Sequence, residues 1–126
     1  MRKKFLELAQ DRYGTEPEYL FAKYPGFAVL RHPNKKWYGV VMDLSREKLG
    51  LPGEGMVDAL NVKCDPVMSG SLRLQPGILP GYHMNKERWI SVLLDGTVDL
   101  EQIGILLDIS YDMVGAKTKK ASRSKK

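Results

Sequence analysis

The chain has 126 residues, of which 43% are hydrophobic and 9% are aromatic. This length suits one domain, and the composition is typical of a globular protein rather than a disordered one. The net charge of +5 is unevenly distributed, because residues 115–126 contain six basic and no acidic residues and residues 1–114 therefore carry −1. We predict a nearly neutral domain at 1–114 followed by a basic, disordered tail at 115–126.

Cysteine content and hydropathy indicate the cellular compartment in which we expect the protein. The single cysteine, Cys64, cannot form an internal disulfide, so nothing indicates an oxidising environment. Glu7 interrupts the apolar residues near the N-terminus, and no apolar run approaches the roughly 20 residues that a membrane-spanning helix needs. We expect a cytoplasmic, monomeric protein without a membrane partner.

The first half of the chain predicts one helix and three strands. Apolar residues follow helical spacing up to Gly14, which is a suitable helix end. Pro17 and Pro25 then break regular structure, and apolar and β-branched runs follow. The predicted elements are a helix at 2–13, an irregular segment at 15–26, a hairpin of strands at 27–31 and 37–44 with a turn at 32–36, and a strand at 56–64.

The second half predicts two helices and a further strand. Asp65 is a favoured N-cap residue and Pro66 a favoured first helical residue. Asn85 can begin a single turn, and Asp95-Gly96 ends the strand that follows it. The predicted elements are a helix from 66 to about 74, an extended segment at 78–84, a turn at 85–88, a strand at 89–94 and an amphipathic helix at 99–114.

The order of these elements predicts the fold class. The strands are grouped and the helices flank them, whereas a repeating strand–helix–strand order would indicate a parallel sheet. We therefore predict an α+β fold with an antiparallel β-sheet and flanking helices.

Several short motifs resemble the MmcQ/YjbR family in order and spacing. Two upstream pieces also resemble one branch of that family, although Leu20-Phe21 stands where a Pro-Trp pair is usual. The motifs are Asn61-Val62-Lys63-Cys64-Asp65-Pro66, Pro76-Gly77, Pro80-Gly81-Tyr82-His83-Met84-Asn85-Lys86 with Trp89, Ser110-Tyr111, and upstream Glu16-Pro17-Glu18-Tyr19 and Lys36-Trp37.

The resemblance implies a CyaY-like, double-wing arrangement of the α+β fold. It also implies DNA binding, an inference that rests on the likeness of that fold to a DNA-binding domain and not on a shared set of residues. The resemblance implies no catalytic residues.

The stretch from Pro80 to Trp89 is the most chemically dense part of the chain. The polar residues Asn85 and Lys86 can bond phosphate oxygens, and Tyr82 and Trp89 can stack on bases. The alternative, which the sequence favours, is that the two aromatic residues belong to the core and that His83 and Asn85 stabilise a tight turn.

The predicted hairpin turn is a second basic region. Arg31, His32, Lys35 and Lys36 stand next to Trp37, an arrangement that suits a wing lying along a DNA groove. The alternative is an ordinary solvated turn, which is the more common meaning of such a cluster.

Catalytic and metal chemistry find little support. Cys64 and His83 suggest a Cys–His nucleophile with Asn61 or Asp65 as the orienting group. A lone cysteine at the end of a strand is more often a small buried residue. Two histidines and one cysteine far apart lack metal-ligand spacing, so we expect no enzyme activity, no metal and no cofactor.

The sequence therefore favours a DNA-binding domain. Its alternative is a protein-interaction or adaptor module that presents an exposed apolar patch. The candidate nucleic-acid contacts, besides the basic tail, are Arg31, Lys35, Lys36, Trp37, Tyr82, His83, Asn85, Lys86 and Arg88.

Overall fold

The computed structural model describes the backbone of residues 1–124 and the side chains of residues 1–115. The helices are α1 (Arg2–Tyr13), α2 (Pro66–Leu72) and α3 (Leu100–Ser124), and a short 3-10 helix covers Glu47–Leu49. The strands are β1 (Ala28–Arg31), β2 (Trp37–Ser45), β3 (Met56–Lys63), β4 (Ile78–Pro80) and β5 (Trp89–Leu93). Among the described residues, no helix is both long enough and apolar enough to cross a membrane.

The strands form one antiparallel sheet in the order β1-β2-β3-β5-β4. This confirms the predicted α+β class with an antiparallel sheet and flanking helices. The Asp65 cap is also confirmed, since its Oδ1 accepts a hydrogen bond from Val67 N at 2.9 Å. α3 extends past the predicted end at Val114 to Ser124, so the backbone of residues 115–124 is helical where the sequence predicted a disordered tail. Residues 125 and 126 lie outside the described residues.

The extended segment predicted at 78–84 is wrong in its second half. β4 ends at Pro80, and the chain then turns. Gly81 N still donates to Trp89 O at 3.0 Å, but Gly81 O accepts a turn hydrogen bond from Met84 N at 3.4 Å, which bends the chain away from β5. The backbones are so close here that a Cβ atom at position 81 would lie 2.7 Å from Trp89 Cβ, which only glycine avoids.

One face of the sheet carries the main core. α1 and α3 cover it, and fully buried side chains from both helices and from all five strands meet there. We call the opposite face, which these two helices leave uncovered, the distal face. It is apolar as well, because β2 alternates with period two and sends Val40, Met42 and Leu44 to it. The distal face is covered instead by irregular segments, which create the candidate site.

Candidate functional site

Three adjacent hollows lie on the distal face and share lining residues, so they form one groove, which we call the distal groove. Their volumes are about 330, 110 and 250 Å³. The largest has an apolar floor and mostly aromatic walls. It is lined by Phe21, Tyr24, Phe27, Trp37, Val40, Met42, Asn61, Tyr82, His83 and Met84.

The first wall of the distal groove comes from the irregular segment before β1. Glu18 forms an isolated bridge with Val29, which fixes this segment against the sheet edge. Two turns follow, with Tyr24 N donating to Phe21 O and Phe27 N donating to Tyr24 O, both at 3.0 Å. The spacing of three residues places the aromatic rings side by side. Phe21 meets Trp37 edge to face, with ring centroids 5.9 Å apart.

The second wall is the turn that follows Gly81. Met84 N donates to Gly81 O at 3.4 Å, and His83 takes a left-handed backbone conformation with φ of 55°. Tyr82 and His83 stack with their ring centroids 4.1 Å apart. Left-handed conformations cost most residues about 1–3 kcal/mol and tend to occur at functional sites. Histidine is among the residues that tolerate them best.

A buried polar cluster holds this turn over the sheet. Asn61 Nδ2 donates to Tyr82 O at 2.9 Å, and Tyr82 N donates to Ser91 Oγ at 2.9 Å. The hydroxyl of Ser91 in turn donates to Asn61 Oδ1. Asn61 and Ser91 are 2% and 0% exposed, so these bonds form away from water, where breaking one is costly. The cluster explains why an asparagine suits the middle of β3.

Two lysines line part of the groove. The exposed residues Lys23 and Lys48 line its smaller hollows, and Asp43 lines the same region as an opposing charge. Lys86 lies behind the second wall, where its Nζ is 3.4 Å from Gly81 O. Sequence reasoning missed Lys23 and Lys48, and it also missed the wall residues Phe21, Tyr24 and Phe27. The one available signal was the regular spacing of the three aromatic residues in an irregular segment.

The sequence-predicted residues fall into separate groups. Trp37, Tyr82 and His83 meet in the distal groove. Lys86 and Arg88 are exposed beyond its second wall. Asn85 is used locally, since its Oδ1 accepts from Glu87 N at 2.9 Å and its carbonyl oxygen accepts from Arg88 N and Trp89 N. That geometry agrees with the predicted turn. Trp89 is half-buried. It precedes Ser91 by two residues in β5, so the two side chains lie on the same face of the sheet.

The hairpin turn does not project as a free wing. Asn34 Nδ2 donates to Val114 O at 3.1 Å, and the His32 ring lies 4.5 Å from the Tyr111 ring. At Gly115, a Cβ atom would approach His32 Nε2 to 2.7 Å. The turn therefore packs on α3, and Lys35 and Lys36 are its exposed cations.

Arg31 is engaged with an acidic side chain. Its Nε lies 2.8 Å from Glu18 Oε2, as an ion pair that lacks the alignment of a hydrogen bond. The same guanidinium donates from Nη1 to Lys35 O at 3.4 Å. Arg31 thus fixes the edge of the sheet and the hairpin turn, and much of its charge is already compensated.

Cys64 and His83 do not form a pair. Cys64 is 1% exposed in the core beneath α1 and α3, while His83 lies on the distal face. Burial, and then the negative charge of Asp65, raises the pKa of the Cys64 thiol, which disfavours the thiolate that a nucleophile requires. Among the described residues, no cluster of histidine, cysteine and carboxylate side chains is placed to hold a metal ion.

Ser110 and Tyr111 fix α3 to the sheet. The Ser110 hydroxyl donates to Tyr38 O at 2.6 Å and accepts from Lys63 N at 2.8 Å, because this buried group faces two strands. Tyr111 is stacked on Tyr13 with ring centroids 3.8 Å apart. Burial and the hydrogen bond with Asp108 raise the pKa of Tyr13.

Comparison with known proteins gives the family. The YjbR family model matches residues 10–113. The chain belongs to the YjbR family. The uncharacterized protein YyaQ of Bacillus subtilis is 47% identical over 113 residues, which cover 89% of this chain and 96% of YyaQ. The uncharacterized protein YjbR of Escherichia coli K12 is 39% identical over 54 residues, covering 42% of this chain and 46% of YjbR.

Solved structures share the fold. A crystal structure of a Pseudomonas syringae protein superposes with a TM-score of 0.87 at 44% identity, covering 90% of this chain and 97% of that one. A Deinococcus radiodurans protein superposes with a TM-score of 0.70 at 27% identity, covering 94% of this chain and 80% of that one. The YjbR fold is thus retained across members whose sequences differ at most positions.

Proposed function

We propose that this YjbR domain binds nucleic acid along the distal groove and catalyses no reaction. The observation that carries the proposal is the meeting of aromatic walls with lysines in one groove. Phe21, Trp37 and Tyr82 line its largest hollow, while Lys23 and Lys48 line the smaller ones. Aromatic rings bind bases by stacking, and lysines attract phosphates.

The basic tail supports the same proposal through its position. Gly115, its first residue, lies against His32 of the hairpin turn, whose exposed cations are Lys35 and Lys36. The six basic residues that follow Gly115 therefore begin beside a basic turn. Such charges raise the rate and the strength of attachment to a phosphate backbone without reading its sequence. We also propose the cytoplasm as the site of this binding.

The candidate contacts differ in the role that we propose for them. Trp37, Tyr82 and His83 stack with bases. Exposed cations bind phosphates, whereas Arg31 and Asn85 act mainly within the fold, through Glu18 and Glu87 respectively. The proposed phosphate contacts are Lys23, Lys35, Lys36, Lys48, Lys86 and Arg88.

Salt dependence of oligonucleotide affinity tests the proposal. Neutralising Lys23 and Lys48 together by alanine removes two phosphate contacts. We expect the slope of log affinity against log salt to become shallower by about 1.4, since a single strand loses about 0.7 per contact. The matched control is Lys3→Ala with Lys4→Ala, which removes two exposed cations from α1 and should leave the slope unchanged.

A third variant separates the groove from the tail. Replacing the six basic residues of 115–126 by glutamine keeps the chain length and removes the tail charge. Residual binding at low salt that still depends on Lys23 and Lys48 supports the groove. If this variant binds no nucleic acid at low salt, the groove is not a nucleic-acid surface.

One observation favours a protein partner as the second candidate function. Tyr19 and Leu20 expose 56% and 46% of their surfaces, and Tyr24, which lines the groove, exposes 48%. Exposed apolar clusters of this kind occur at protein interfaces. An adaptor role predicts a stoichiometric complex that survives nuclease and high salt and is lost in Leu20→Ser with Tyr24→Ser. A complex that nuclease abolishes would instead reflect bridging by nucleic acid.

A further inference from the structure

We infer that the distal groove accepts unstacked bases of a single strand and discriminates against duplexes, with little preference among base types. This inference rests on the proposed function and names the form of nucleic acid that the groove takes. Three features of the groove carry it, which are the ring-lined walls, the committed polar atoms and the position of the lysines.

The walls require a free base face. Tyr82 and His83 form one side of the largest hollow, and Phe21 and Trp37 form the other. An aromatic ring stacks on the face of a base, not on its edge. In a duplex each base face is covered by the neighbouring base pairs and only the edges reach the grooves. A base must therefore leave its stack, or belong to a single strand, before these side chains can contact it.

The polar atoms of the floor are already used. Asn61 is the amide in the lining of the largest hollow, and its two ends are bonded to Tyr82 and Ser91. The floor beside it consists of Val40 and Met42. Sequence reading needs hydrogen bonds to base edges, whereas stacking tolerates every base. The floor of the groove therefore offers apolar surface for stacking and little means of selecting among bases.

The lysines lie where the backbone of a bound nucleic-acid strand would continue. Lys48 lines both smaller hollows, and Lys23 lines the one farther from Trp37. If a base were bound between Trp37 and Tyr82, the sugar-phosphate backbone of its strand would run toward these two cations. Asp43 lines the same hollow as an opposite charge. The arrangement provides phosphate contacts along the groove and matches the charge of a polynucleotide better than that of a neutral peptide.

Trp37 fluorescence reports the seating of a base directly. The chain has two tryptophans, so the variant Trp89→Phe leaves Trp37 as the only one. We would titrate this full-length variant with oligothymidylate, with an abasic oligonucleotide of equal length and with a duplex of equal length. We expect oligothymidylate to quench Trp37 and the other two probes to leave its emission nearly unchanged.

The affinities give the size of the effect. One seated base contributes about 1–3 kcal/mol, so oligothymidylate should bind roughly 5- to 150-fold more tightly than the abasic probe. Tyr82→Leu, which keeps an apolar side chain in place, should reduce this ratio toward one. The matched control Tyr19→Ala removes an exposed aromatic residue outside the groove lining and should preserve it.

The outcomes separate the inference from the proposed function. Equal affinity for all three probes, with slopes that still depend on Lys23 and Lys48, would overturn the inference and leave charge-driven nucleic-acid binding in place. Tighter binding of the duplex would also overturn it. The absence of binding by any probe at low salt would overturn both.

Discussion

Single side chains give the distal groove its shape. The pair Asn61 and Ser91 holds the Tyr82 backbone from both its N–H and its carbonyl group. Gly81 allows the approach to Trp89 that the turn requires. The motif residues at these positions have a structural role, because each residue type is needed to place the second wall of the groove.

The left-handed backbone of His83 restricts which residues this position tolerates. Its φ of 55° is tolerated by asparagine but strongly disfavoured for β-branched residues. We expect His83→Val to lower the free energy of unfolding by about 1–3 kcal/mol relative to His83→Asn. Both variants lose the ring stacked on Tyr82, so the difference between their free energies of unfolding isolates the cost of the backbone conformation. Urea unfolding measures it, and equal stabilities would contradict the assigned turn.

At the scale of elements, local patterns predict most of the fold. The helices at Arg2–Tyr13 and Pro66–Leu72 and the antiparallel strands follow from apolar periodicity and from a capping residue. The irregular segment at 15–26 could not be placed from the sequence. Its position depends on one bridge between Glu18 and Val29 and on ring packing, and neither leaves a periodic signal.

The docking of α3 depends on a contact that no local pattern predicts. Ser110 connects this helix to β2 and β3 through two hydrogen bonds, which join residues distant in the sequence. The hairpin turn is held to the same helix through Asn34 and Val114. These contacts explain why the basic turn lies against the body of the domain, although its composition suggested an exposed wing.

Removing the Ser110 hydroxyl tests this docking. Ser110→Ala eliminates two buried hydrogen bonds, and each contributes about 0.5–1.5 kcal/mol net. We expect a loss of about 1–3 kcal/mol in the free energy of unfolding. The matched control Ser71→Ala removes an exposed hydroxyl and should change stability by less than about 0.5 kcal/mol. A Ser110→Ala variant as stable as this control would show that the hydroxyl does not join the helix to the sheet.

In the whole molecule, the excess positive charge and the aromatic groove lie in different parts of the chain. The excess positive charge lies in residues 115–126, whereas the aromatic groove lies on the distal face of a nearly neutral domain. Three of the nine candidate residues, Trp37, Tyr82 and His83, meet in that groove. The others could not be sorted from the sequence, because exposure and ion pairing depend on tertiary neighbours such as Glu18 beside Arg31.

The most direct measurement is an NMR titration of the full chain with a single-stranded oligonucleotide at low salt. We predict chemical-shift changes at the Trp37 indole N–H and at the backbone amides of Tyr82 and His83, which line the groove. The exposed Val67 on α2 supplies an internal reference that should not shift. Shifts confined to residues after Gly115, or spread evenly over exposed cations, would contradict a binding site in the distal groove.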